Sequence, residues 1–121
     1  MDRQRFPPFL IRLFLKHNEH HNSDFFETLT STPCEDEYHV YAWHDSTLRE
    51  IADMLKDVSD ELRLKQTKLS FRLVYPATDG KPCFVDLGIV SNSTKGFIDS
   101  RPLGSLKFQP GDYLDVAVFV T

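Results

Sequence analysis

Cysteine is scarce in this chain: 121 residues hold only two, Cys34 and Cys83. Two thiols cannot build the framework of a disulfide-stapled secreted domain, and their spacing matches no zinc motif. They read as reduced thiols of an intracellular protein. Long apolar runs are missing too, so no segment approaches membrane-spanning length and no membrane partner is expected. The start, MDRQRFPPFLIRLFLKH, sets basic residues before an apolar stretch. Its paired prolines, its internal arginine and the lack of a small-residue cleavage site favour a strand over a signal peptide. Excess positive charge is absent: 14 Lys and Arg against 18 Asp and Glu leave a net charge of -4. That excludes a protein held to nucleic acid mainly by bulk charge. Nucleophile elbow, phosphate loop and metalloprotease motif are all missing, and TDGKP has a Gly-Lys pair without the rest of a P-loop. No enzyme, catalytic residue or cofactor is predicted. Repeats, low-complexity tracts and linkers are absent.

What is present is apolar patterning sufficient for one core. PFLIRLFL (8–15) alternates Phe9, Ile11, Leu13 and Leu15 against Leu10, Arg12 and Phe14, which marks a strand whose arginine side meets water. The polar segment 16–37 is too long for a simple hairpin loop. SDFFETL inside it suits a short helical turn capped by Ser23, with Phe25, Phe26 and Leu29 packing down. YHVYAW (38–43) is a second strand. Thr47 and Glu50 form a capping-box pair at a helix start. Leu48, Ile51, Leu55, Val58 and Leu62 then follow at steps of three and four, with the regular helix closing near Val58. KLSFRLVYP (68–76) is a third strand, CFVDLGIV (83–90) a weaker fourth, and 91–105 a loop. After the Pro-Gly turn in QPGD, Leu114, Val116, Val118 and Val120 alternate against Asp115, Ala117 and Phe119.

Strand, strand, helix, strand, short strand, strand is the order of an α+β protein. We read it as a ubiquitin-like β-grasp: one domain over 1–121, a five-stranded mixed sheet, and one main helix on one face. The last strand pairs parallel beside the first and lies between the first and third, which explains its apolar character. A modifier of this fold needs a flexible Gly-Gly tail, and no glycine follows Gly111, so conjugation is not expected.

Four stretches, PFLIRLF, YAWHDSTLREIADML, LSFRLVY and LKFQPGDYLDVAV, together resemble the eighteen-kilodalton Sin3-associated polypeptide family. The run Tyr41–Ala42–Trp43–His44–Asp45–Ser46–Thr47–Leu48 is similar to that family's Tyr-x-Trp-x-Asp-x-Thr-Leu pattern. Residues Gly111, Asp112, Tyr113, Leu114 and Asp115 match its Gly-Asp-Tyr-Leu-Asp ending, and the adjacent His pair after the first strand has a counterpart. The likeness covers about residues 8–120. It implies a non-catalytic nuclear adaptor, in part in nuclear speckles and in part cytoplasmic. The implied partners are the Sin3–histone deacetylase corepressor, an Acinus- or Pinin-type peptide, and an RNA-binding protein with a serine-rich domain. The last two belong to the apoptosis-and-splicing-associated complex, which joins the exon junction machinery. The implied roles are transcription repression and mRNA splicing and processing, with nucleic acid met only indirectly.

Read from the residues, the face away from the helix carries Leu10, Arg12, Phe14, Tyr41, Trp43, Arg72, Val74 and Phe119. Aromatic, aliphatic and arginine side chains together have the composition of interface anchors. A disordered partner segment is expected to dock there, with Arg12 or Arg72 meeting its carboxylates; strand addition at a sheet edge is the rival geometry. Alternatively, the loop 16–37 folds over this face and Phe25 or Phe26 buries part of it. A second class of function is a small RNA-binding module that uses the aromatics as stacking platforms. The five histidines, His17, His20, His21, His39 and His44, invite a metal reading. Asn18 and Asn22 favour turns and no cysteine pair joins them, so a solvated loop is preferred, with His20 and His21 hydrogen-bonding locally to hold it.

Overall fold

The computed structural model describes residues 3–29 and 36–120. Cys34 and part of the loop 16–37 lie outside them. Among the described residues the chain forms β1 (Phe9–His17), α1 (Ser23–Glu27), β2 (Glu37–Ala42), α2 (Leu48–Leu55), β3 (Thr67–Pro76), β4 (Pro82–Ser91) and β5 (Tyr113–Val120). The strands make one sheet in the order β2-β1-β5-β3-β4. β1 runs parallel to β5 and antiparallel to β2, and β3 is antiparallel to both β5 and β4. This is the β-grasp order, with β5 paired on both sides.

Helix α2 packs across one face. Leu48, Ile51, Ala52 and Leu55 are fully buried against Ile11, Leu13, Phe71, Leu114 and Val116. Thr47 caps the helix, its Oγ1 accepting from the Glu50 N–H at 3.2 Å. The reciprocal half of the capping box is not made, because the Glu50 carboxylate turns outward to Arg3 at 3.2 Å. The helix closes at Leu55, three residues before Val58, which is exposed; a 3₁₀ turn at Asp60–Arg63 returns Leu62 to the core.

Two further elements differ from the sequence reading. Asn22, not Ser23, caps α1: its Oδ1 accepts from the Phe25 N–H at 2.9 Å. An amide side chain in an extended residue meets the free N–H groups of the first turn as well as a hydroxyl does. β4 is ten residues long rather than weak, its register shifting opposite Phe71 and Arg72. Gly88 near that shift has φ of 141°, and a Cβ there would stand 3.0 Å from Ile98, so only glycine fits. Ile98 belongs to the segment 91–105, which is tied down by Arg49 through two bonds to Asp99, at 3.0 and 2.6 Å, and one to the Ser91 carbonyl at 2.6 Å.

Replacing a fully buried helix residue should therefore cost far more than trimming an exposed strand residue. Ile51→Ala is expected to lower the unfolding free energy by about 3 kcal/mol. Tyr41→Ala, at a position 61% exposed, should change it by less than about 0.5 kcal/mol. Urea denaturation of the two variants checks both values.

Candidate functional site

The outward face of the sheet has a carboxylate at its centre. Asp115 on β5 is fully buried, although strand pairing places it between Phe14 of β1 and Arg72 of β3. A buried carboxylate without partners is costly, and here several groups answer it. Arg72 Nη2 donates to Oδ2 at 2.9 Å, the His21 backbone N–H donates to Oδ2 at 3.1 Å, and His20 Nδ1 lies 2.8 Å from the same oxygen. His21 Nδ1 lies 2.6 Å from Oδ1. The second nitrogens of the two rings reach Ser70 Oγ at 3.1 Å and Asp36 Oδ2 at 2.9 Å. Arg72 also donates to the His21 carbonyl oxygen. The adjacent histidines thus hold their loop, but not through local bonds in a solvated segment: His21 is buried, and the bonds run to a residue more than ninety positions away.

This clasp folds residues 18–29 over the sheet as a lid. Phe25 and Phe26 of α1 each meet Phe14 edge-on with centroids 5.5 Å apart, and Phe26 also faces Tyr113 and Phe84. Phe14, Phe26 and Val74 form a second, smaller core. The ring of His21 stacks on Phe25 at 4.1 Å.

The expected docking face is accordingly divided. Phe14 and Val74 are buried and offer nothing to a partner; the lid covers them because their apolar area outweighs the cost of ordering a short segment. Arg12 is half-buried and holds Glu37 through two bonds at 2.6 and 2.8 Å, and Arg72 is committed to Asp115. Neither guanidinium waits for a partner's carboxylate. Trp43 lies beyond β2, its indole N–H donating to the Phe6 carbonyl at 2.7 Å while Arg3 stacks on its ring. Leu10 and Tyr41, opposite each other across β1 and β2, remain exposed, and Phe119 is half-exposed at the other end of the sheet. Of the aromatics expected on this face as stacking platforms, Phe14 is buried and Tyr41 stays exposed. The other three histidines have partners of their own: His17 lies 2.5 Å from Glu61, His39 lies 2.6 Å from Glu37, and His44 stands beside Phe9.

Asp115 is the central residue that pattern reading missed. The signal was available, because a lone carboxylate within YLDVAVFV, on a strand paired on both sides, requires partners. The family of the chain is fixed by comparison. The model of the Sin3 associated polypeptide p18 (SAP18) family matches residues 1–118. The chain belongs to the SAP18 family. It is 37% identical over 121 residues to the histone deacetylase complex subunit SAP18 of Arabidopsis thaliana, covering 98% of this chain and 79% of that protein. The Homo sapiens protein of the same name is 38% identical over 122 residues, covering 98% and 77%. That of Drosophila melanogaster is 30% identical over 119 residues, covering 98% and 78%. Among solved structures, the C-terminal ubiquitin-like domain of mouse tubulin-specific chaperone e is similar with a TM-score of 0.46 and 14% identity, covering 96% of this chain and 91% of that one. The SAP18 match spans both halves of the clasp, the His pair and Asp115.

Electrostatics follow from this geometry. Burial pushes the Asp115 carboxyl up, but the hydrogen bonds of His20 and His21 outweigh it and hold its pKa below the ordinary value. Burial likewise opposes protonation of His21, and its bonds to Asp115 and Asp36 overcome it, raising that pKa. Hydrogen bonds from Arg12 lower Glu37 to about 2 against the cost of burial, with His39 assisting. A lowered carboxylate stabilises the fold above its unfolded value and loses that contribution as pH falls through its folded value. A raised histidine contributes fully below the ordinary 6.5 and loses it as pH rises through its folded value. The clasp is therefore tightest in weakly acidic solution. Asp115→Asn should cost about 3 kcal/mol near pH 6, with the deficit shrinking in strong acid. The deficit of His21→Gln should shrink as pH rises from neutral into the alkaline range. Urea unfolding of the wild type and both variants across pH measures each trend; deficits independent of pH would exclude an ionic clasp.

Proposed function

We propose that this chain is a non-catalytic, nuclear subunit of a histone deacetylase corepressor that joins partner polypeptides through its exposed sheet face. Membership of the SAP18 family carries the reading, because its relatives in plants, insects and mammals are histone deacetylase complex subunits. The geometry supports a binding role over chemistry: Asp115, Arg72, His20 and His21 are spent on closing a lid, and Leu10 and Tyr41 stay exposed beside it. The Leu10–Tyr41 pair, at the end of the sheet that the lid leaves open, is the anchor. An extended partner segment lying across β1 and β2 would bury both. The partners that fit are the Sin3 corepressor assembly and an Acinus- or Pinin-type peptide. The latter would bring in the RNA-binding protein with a serine-rich domain and so link the chain to splicing. Deacetylation and RNA contact belong to those partners, in the nucleus and its speckles, with a cytoplasmic fraction.

Phe14→Ala does not test this surface, because it removes a buried side chain and acts through folding. Tyr41→Ala and Leu10→Ala do. Calorimetry with an Acinus-type peptide should show each variant binding more weakly than the wild type by about 2 kcal/mol, with unchanged unfolding midpoints. Both should also recover less deacetylase activity on immunoprecipitation. Wild-type affinity in both variants would move the docking surface elsewhere.

A further inference from the structure

Pairing between β3 and β5 stops at Val74 and Tyr113. Beyond it the hairpin joining β3 to β4 and the turn at Gly111 part, leaving a cleft of about 380 Å3 beside the end of the lid. That volume lies within the range of small-ligand pockets. Its apolar lining includes Val74 and the rings of Phe26 and Tyr113, while Glu27 from α1 and Asp79 and Lys81 from the hairpin are exposed at its rim. Neither carboxylate is in an ion pair among the described residues; Asp79 accepts only the Lys81 backbone N–H, at 3.0 Å. Two carboxylates against one ammonium leave the rim negative.

An apolar lining below and carboxylates above suit a long cationic side chain with an apolar stem. A guanidinium's planar fork donates to a carboxylate through two N–H groups at once, which a compact ammonium does less well. Lys81 stands too exposed to close the cleft itself. We propose that this cleft is a subsite for an arginine side chain carried by a docked partner segment. The proposal rests on the docking reading above and gives that partner a chemical requirement: a basic residue, not the acidic one that Arg12 and Arg72 first suggest.

The test uses the whole chain, 15N-labelled, titrated with acetyl-arginine amide and, separately, with acetyl-citrulline amide, which has the same shape without the charge. The arginine probe should shift the backbone amides of Gly80 and Gly111 saturably, and the citrulline probe should bind at least about fivefold more weakly. Glu27→Gln with Asp79→Asn should weaken arginine binding by a similar factor, and Lys81→Ala should strengthen it. Equal responses to the two probes, shifts confined to other residues, no saturable shift, or indifference to the double substitution would each overturn the subsite. Because no partner is present in this titration, failure here leaves docking at Leu10 and Tyr41 to be judged by its own variants. Success here with wild-type docking in those variants would separate the two the other way.

Discussion

The buried carboxylate of Asp115 sets the terms for the outer half of this molecule. β5 is paired on both sides, so its residues have no edge to escape to, and one face of the sheet is already closed by α2. A carboxylate at the middle of the other face could have stayed in water, leaving Phe14 and Val74 wet beside it. Instead it gathers donors from β3 and from the loop after β1, and that loop brings α1 with it. A five-residue helix does not hold its shape alone. Its rings keep it down, its capping asparagine starts it, and the His pair fixes where it lands. Ionic and apolar contributions are interdependent: the lid excludes water and so strengthens the bonds to Asp115, and those bonds hold the rings in place.

Much of the fold was legible because it depends on period. Alternation along β1, β3 and β5 and the 3–4 spacing of Leu48, Ile51 and Leu55 point to their core faces directly, and a single helix over five strands leaves few topologies. Boundaries were less legible: α2 stops short of Val58 because Asp57 and the following Ser59–Asp60 favour a turn over one more helical turn. The site was legible by side but not by depth. Alternation places Phe14, Arg12 and Arg72 on the outer face correctly, yet it says nothing of what a loop ninety residues from Asp115 will do. Whether a side chain on that face meets solvent is decided by contacts of long sequence separation. The His pair and the lone aspartate in an apolar strand were two halves of one signal, readable only together.

The division of the outer face also decides what recognition can use. Internal ion pairs consume the arginines, so steering by those cations is unavailable; Arg12 spends its fork on Glu37 and Arg72 spends its charge on Asp115. What stays exposed includes the apolar side chains of Leu10 and Tyr41 and the carboxylates of Glu27 and Asp79. A segment long enough to meet both would run along the margin of the lid, across the open end of the sheet. Its apolar residues would supply burial and its basic residue would supply register. An aliphatic anchor alone slides on a flat strand pair, whereas a charge seated in a cleft beside two rings does not. On this view the lid does more than close a core: the last residue of its helix, Glu27, forms one side of the subsite, so the clasp that orders α1 also places a carboxylate where a partner would meet it.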